Sequence, residues 1–132
     1  MTRKLFLALA ISLTVVSLEV VPAVAAHRET GIASVYSNRL KGRRMANGDR
    51  YDPTQLIAAH KVLAFGTWVR VTNVRNKKSA ILKIADRGPY RPSRIIDISP
   101  AAASRLGMDQ RGLQRVTLDV VEPDTGNREL ND

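Results

Sequence analysis

Apolar and polar residues alternate in several short stretches of this chain, which is the pattern of half-buried β-strands. Residues 32–36 begin the series, and residues 68–72 and 116–121 repeat it. Residues 80–84 form a further apolar stretch, joined to residues 68–72 by a turn around residues 76–77. The sequence therefore predicts short strands, two of which pair as a β-hairpin.

One helix is indicated just before the last of these stretches. Ser99 offers an N-cap hydroxyl and Pro100 suits the first helical turn. Residues 101–106 would form the body, and Gly107 is a typical stop. Many short strands with one helix and long polar loops predict an all-β (mainly β) domain closed into a small barrel.

The first 26 residues have the features of a secretory signal peptide. A positively charged start precedes an apolar run at residues 5–16, and small residues at 23–26 suit a signal peptidase. A membrane anchor is the alternative. Glu19 and the helix-breaking Pro22 lie within that stretch and disfavour it, so we expect no stable membrane span after cleavage.

The chain is therefore predicted to have three parts. These are a signal peptide at residues 1–26, one domain at residues 27–123 and a polar tail at residues 124–132. The mature protein is expected outside the cytoplasm, in the periplasm or the cell wall, as a monomer.

Composition narrows the chemistry that this domain can carry. The chain has no cysteine, which excludes disulfides, thiolate metal sites and a lipid-modified cysteine. With only His27 and His60 as histidines, no metal centre and no cofactor are expected. The net charge of +9, about +8 without the signal, favours anionic polymers of the cell wall as partners. Nucleic acid is the rival partner, but no helix-turn-helix, RNP or zinc-finger pattern supports it.

Three segments contain candidate catalytic side chains. Asp49 follows an Asn-Gly turn, His60 follows two alanines, and Asp86 ends an apolar strand before Arg-Gly-Pro. Taken singly, Asp49 is more often a turn residue and His60 more often a bystander. For Asp86 a structural role and a catalytic role are equally supported, because a rigid Gly-Pro turn at a barrel rim would hold its side chain in place.

Taken together, the motifs are distinctive. The order is Ala-Asn-Gly-Asp49, Ala-Ala-His60-Lys, Phe-Gly-Thr and Asp86-Arg-Gly-Pro-Tyr. Arg-Ile-Ile-Asp97-Ile-Ser then leads into an alanine-rich helix that ends at Leu-Gly-Met108. This series resembles the RlpA-like family of cell-wall proteins over residues 31–121.

The resemblance implies a six-stranded double-psi β-barrel with a groove across one face. It also implies an endolytic lytic transglycosylase, a carbon–oxygen lyase. Such an enzyme cleaves the bond between N-acetylmuramic acid and N-acetylglucosamine in peptidoglycan and leaves 1,6-anhydro ends. Matched to the family motifs, the catalytic residues are Asp86, as acid/base, with Asp49 and His60, and all three should converge on one groove.

Three further side chains are candidates for binding the glycan strand, namely Tyr51, Arg87 and Tyr90. Two departures from the family pattern favour a second function, a non-catalytic, expansin-like module that binds or loosens the wall. Asp49 stands where the family usually has the longer glutamate, and the carboxy-terminal septal glycan-binding domain of larger members has no counterpart in this sequence.

Export can be tested directly. Mass spectrometry of exported material is expected to show a mature chain that starts close to His27, because the small residues before it suit the peptidase. Recovery of a chain with intact Met1 from the membrane fraction would contradict the signal-peptide prediction.

Overall fold

The computed structural model describes residues 3–4, 8–18, 27–109 and 112–123. Its six strands are β1 (Arg28–Val35), β2 (Ile57–His60), β3 (Trp68–Asn73), β4 (Ser79–Asp86), β5 (Arg94–Ile98) and β6 (Gln114–Val121). A helix, α1 (Pro100–Arg105), and a 3₁₀ turn (Asn38–Leu40) accompany these strands. Residues 1–2, 5–7 and 19–26 of the proposed signal peptide lie outside the described residues, as does all of the proposed tail at residues 124–132.

The strands form a closed barrel in the order β1-β5-β2-β4-β3-β6. Two neighbouring pairs, β1–β5 and β2–β4, are parallel, and the other four pairs are antiparallel. Closure leaves no unpaired sheet edge. The prediction of an all-β barrel is confirmed. Within the described ranges, no helix is long and apolar enough to cross a membrane.

Alternation identified the strands whose two faces differ. The predicted hairpin is present as β3 and β4, and the last predicted strand lies within β6. The alternation did not mark β2 or β5 as strands. All four residues of β2 are buried, so its two faces do not differ in polarity, and β5 is only five residues long. A strand buried on both faces, such as β2, has no alternation for a sequence pattern to detect. In β5 the alternation covers only residues 96–98, too few to indicate a strand by themselves.

Helix α1 begins and ends as the sequence predicts. The Ser99 hydroxyl accepts a hydrogen bond from the amide of Ala102, and Pro100 occupies the first turn. Gly107, just beyond the helix, has a φ of +63°, a conformation that favours glycine. The helix packs its buried alanines against the barrel core.

The barrel interior is filled by aliphatic side chains from all six strands. Leu82, Ile84, Ile96, Ile98 and Leu118 are fully buried there. Burial of this apolar surface is the main source of stability in a domain of this size.

Truncation of one of these side chains should therefore be costly. Leu118→Ala is expected to lower the free energy of unfolding by about 2–5 kcal/mol, because a cavity remains in the core. Arg115→Ala, an exposed change on the same strand, should stay within about 0.5 kcal/mol of the parent. Urea denaturation of both variants measures the difference, and equal losses would contradict this account of the core.

Candidate active site

A row of short side chains crosses four neighbouring strands on the outer face of the barrel. Ser34 of β1 pairs with Asp97 of β5, Asp97 pairs with Ala59 of β2, and Ala59 pairs with Asp86 of β4. Paired residues on adjacent strands project to the same face. Ala59 alternates with Ala58, whose side chain lies in the interior core, so the row faces outward. Two carboxyl groups thus stand on either side of one buried alanine.

The Asp86 carboxylate accepts three hydrogen bonds. The Tyr36 hydroxyl donates to Oδ2 at 2.5 Å, and the amides of Ala46 and Arg87 each donate to Oδ1 at 2.8 Å. Burial, reinforced by the hydrogen bond to Asp86, raises the pKa of Tyr36 far above its ordinary value, so the phenol remains a donor. These three donors fix the orientation of the carboxylate.

The Asn-Gly loop folds over Asp86. The amide of Asn47 donates to the carbonyl of Ala85 at 3.2 Å, next to the bond from Ala46 to Asp86. Asp49 is exposed at the outer side of this loop, where its carboxylate accepts a hydrogen bond from Asn47 Nδ2 at 3.1 Å. The structure therefore brings the loop that carries Asp49 to Asp86 through backbone contacts.

Asp97 is the acidic residue of this site that the sequence reasoning left without a role. The Ser34 hydroxyl donates a hydrogen bond to Oδ1. Burial raises the pKa of Asp97; Ser34 and Arg94 oppose the shift, and the negative charge of Asp86 adds to it. The available signal was an aspartate between two isoleucines in the Arg-Ile-Ile-Asp-Ile-Ser motif, where strand alternation turns it away from the core.

A pocket opens beside Asp86, between the barrel and the polar loop. Tyr36 and Tyr51 line it together with Arg43 and Arg44. The two tyrosine rings pack with their centroids 5.0 Å apart. Tyr51 is 3% exposed, and its hydroxyl is buried without a hydrogen-bond partner among the described residues. An unpaired buried hydroxyl of this kind is unusual in a folded protein.

The structure does not bring the His60 ring into this group. His60 alternates with Ala59 and therefore points to the inner face of β2. Its Nε2 lies 2.8 Å from Glu29 Oε2, and its Nδ1 accepts hydrogen bonds from the amides of Val62 and Leu63, both at 3.1 Å. The ring is 2% exposed. The predicted convergence of Asp49, His60 and Asp86 on one groove is therefore not seen. The His60 ring lies on the other face of β2, and Asp49 is not among the residues that line the pocket at Asp86.

Arg87 and Tyr90, two of the predicted glycan-binding residues, lie on a second pocket beyond the carboxyl pair. The Arg87 guanidinium turns away from Asp86 and donates to the carbonyls of His60 and Leu63, at 3.1 and 2.7 Å. Tyr90 is 90% exposed. A Cβ on Gly88 would lie 3.7 Å from the Tyr90 ring and 3.8 Å from Asp97 Oδ2, so this pocket adjoins Asp97.

His27, Glu29 and His60 form the cluster of described residues whose ligand atoms are close enough for a metal ion, within 4.8 Å of one another. The hydrogen bonds of His60 do not suit one. Because Nδ1 accepts two backbone bonds, the proton of the neutral ring lies on Nε2, the atom that would have to bind the ion. The arrangement is a hydrogen-bonded pair with Glu29 rather than a ligand set.

Comparison with known proteins assigns the fold. The barrel is similar to the solved structure of an expansin from Clavibacter michiganensis, with a TM-score of 0.58 and 20% sequence identity over 74% of this chain and 52% of the expansin. A family model described as lytic transglycolase matches residues 28–118. Fold and family model together define a double-psi β-barrel of the lytic transglycolase class.

Curated relatives narrow the class further. The endolytic peptidoglycan transglycosylase RlpA of Neisseria meningitidis serogroup A is 45% identical over 100 residues, 76% of this chain and 42% of the relative. A probable endolytic peptidoglycan transglycosylase RlpA of Synechocystis is 48% identical over 92 residues, 70% of this chain and 29% of the relative. This chain belongs to the RlpA-like family of double-psi β-barrel proteins and spans less than half the length of these relatives.

The raised pKa of Asp97 has a consequence for stability. Burial in the fold disfavours the ionised form of Asp97. Its contribution to stability is therefore complete below about pH 4, near the pKa of an unfolded aspartate. That contribution is lost as the pH rises through the pKa of Asp97 in the folded protein. Asp97→Asn keeps the acceptor for Ser34 and should raise stability at pH 7 but not at pH 3. Urea denaturation at both pH values measures this.

Asp52 provides a control of opposite sign. Hydrogen bonds from the hydroxyl and amide of Thr54 lower the pKa of this exposed carboxyl, so its contribution is present at neutral pH and lost as pH falls through the folded value. Asp52→Asn should therefore destabilise the protein at pH 7 and have little effect at pH 3. A gain of stability in both variants at pH 7 would contradict the electrostatic interpretation of Asp97.

Proposed function

We propose that this domain is an endolytic peptidoglycan transglycosylase that cleaves the bond between N-acetylmuramic acid and N-acetylglucosamine and leaves 1,6-anhydro-muramic acid ends. The observation that carries the proposal is the pair of carboxyl groups, Asp86 and Asp97, that flank Ala59 on the outer face of the barrel. The names of the curated relatives support the reaction and its peptidoglycan substrate.

The two carboxyl groups are suited to different steps. A glycosidic bond breaks when an acid protonates the leaving oxygen as positive charge develops at C1. Asp97 suits the acid because burial raises its pKa, and the hydrogen bonds of the described residues leave its Oδ2 without a donor. Asp86 accepts three hydrogen bonds, which hold its carboxyl group in place to face the developing positive charge.

Closure of the anhydro ring needs no water. The C6 hydroxyl oxygen of the muramic acid forms a bond to C1 as the bond from C1 to the leaving oxygen breaks. The leaving oxygen carries away the proton of Asp97, and Asp97, now ionised, takes the proton of the C6 hydroxyl. This assignment gives Asp97 the acid/base role that the sequence gave to Asp86 and keeps Asp86 as the partner that stabilises charge.

Pockets on both sides of the carboxyl pair would hold the glycan strand. On the side of Asp86, Tyr51 forms part of the pocket wall, and the exposed Arg43 and Arg44 beside it offer donors to sugar hydroxyls or carbonyls. On the side of Asp97, the exposed Tyr90 ring offers a stacking surface next to Arg87. Asp49, exposed on the loop that folds over Asp86, would accept a bond from a sugar hydroxyl.

The substrate also implies where the protein works. Peptidoglycan lies outside the cytoplasmic membrane, so the proposal includes export through the signal peptide at residues 1–26 and action as a monomer in the periplasm or wall. The expansin-like alternative is a module that binds the wall without cleaving it. It would use the same groove, and the release of anhydro-ended product distinguishes the enzyme from this module.

Two substitutions test the proposal. Asp97→Asn and Asp86→Asn keep the shape of each side chain and remove its proton exchange or its charge. Each should reduce release of anhydro-muropeptides from purified sacculi by roughly 100- to 10,000-fold, as expected on loss of such a group. Mass spectrometry of the digest measures the product, and a pull-down with sacculi should show binding close to that of the parent.

Asp119→Asn is the matched control. Asp119 lies on β6, outside the carboxyl row, and pairs with the exposed Arg28 at 2.7 Å, so this variant should retain activity. If the parent protein binds sacculi and yet releases no anhydro-ended product over a range of pH values, the binding module is correct instead. If Asp97→Asn retains full activity, the acid assignment is wrong.

A further inference from the structure

His60 connects the first strand of the barrel to the turn that follows β2. Its Nε2–H donates to Glu29 Oε2 at 2.8 Å. Its Nδ1 accepts from the amides of Val62 and Leu63, which lie in that turn. Both ring nitrogens are therefore committed to neighbours within the protein, and a ring 2% exposed has no access to a glycan strand.

The same turn holds Arg87. The guanidinium Nη1 donates to the carbonyl of His60 at 3.1 Å and to that of Leu63 at 2.7 Å. The guanidinium carbon also lies 4.1 Å from the centre of the Phe65 ring, at a stacking distance. A displaced turn would move both carbonyls and so release the arginine.

Arg87 is joined directly to the carboxylate that the proposed reaction uses. Its amide donates to Asp86 Oδ1 at 2.8 Å, and Gly88, the next residue, lies close to Asp97 Oδ2. The position of the Asp86-Arg87-Gly88 segment therefore affects both carboxyl groups. A continuous set of contacts runs from Glu29 through His60 and Arg87 to the site.

We propose that His60 is a positioning residue rather than a catalytic one: together with Glu29 it holds the turn at residues 61–63, and this turn, through Arg87, orients Asp86. The inference rests on the proposed transglycosylase activity for its kinetic test. It assigns Glu29, which had no role, to the same function and removes His60 from the group that contacts substrate.

A double-mutant cycle on kcat tests the connection. His60→Ala and Arg87→Ala should each reduce kcat roughly 100-fold, the cost of a small misplacement of a reacting group. Because both changes break one set of contacts, the double variant should lose no more than the worse single variant. The limbs of the pH–rate profile should stay where they are in the parent. Losses that multiply to roughly 10,000-fold, or loss of one limb, would show that His60 takes part in the chemistry.

Glu29 supplies a conservative pair of variants that leaves the His60 ring in place. Glu29→Gln keeps an oxygen acceptor for Nε2–H and should retain most of the activity, whereas Glu29→Ala should approach the loss of His60→Ala. Arg28→Ala is the matched control, since the exposed Arg28 next to Glu29 pairs with Asp119 at 2.7 Å on the other side of the strand. Equal activity in Glu29→Ala and Arg28→Ala would overturn the proposal.

Hydrogen exchange separates this proposal from the proposed function. In His60→Ala, or in Glu29→Ala if that variant alone folds, the amides of Val62 and Leu63 should exchange faster, while core amides such as that of Leu82 keep the protection of the parent. This readout needs no activity. A parent protein without product refutes the transglycosylase function only, whereas unchanged exchange at residues 62 and 63 refutes the positioning role.

Discussion

The site depends on one constraint, the passage of β2 between β4 and β5. These neighbours lie far from β2 along the chain, and one of them is parallel to it. With strands about 4.8 Å apart, the α-carbons of Asp86 and Asp97 are held about 9 to 10 Å from each other across Ala59. A methyl group between them leaves room for both carboxyl groups and for a sugar above. A larger side chain at this position would fill that space.

The two carboxyl groups differ because their surroundings differ. Asp86 meets three donors, from Tyr36, the folded-over loop and its own neighbouring amide, whereas Asp97 has one bond from Ser34 and is partly buried. Arg87, next to Asp86 in the sequence, does not pair with the Asp86 carboxyl because its guanidinium is held by backbone carbonyls. An acid and a charge-stabilising partner can thus coexist on one face of a small barrel.

The polar loop at residues 38–52 is part of the site because it is fixed to the barrel by a second, smaller apolar cluster. Met45 and Tyr51 of the loop pack against Ile57 and Ala85 of the outer face. This packing closes one side of the pocket and buries the Tyr51 hydroxyl. It also sets the Ala46 amide on Asp86, so the apolar contacts of the loop and the orientation of the carboxylate depend on each other.

The sequence by itself determined the hairpin, the capped helix, the barrel class and the motifs that contain Asp49, Asp86 and Asp97, because alternation, capping and turn chemistry act over a few residues. Only the tertiary structure decided which acids meet and where His60 points. Asp97 lies 11 positions after Asp86, and their proximity arises from β2, a buried strand with no alternation to reveal it. Likewise, the one-residue step from Ala59 to His60 separates the outer site from the inner face, since successive side chains of a strand project to opposite sides once the barrel has closed.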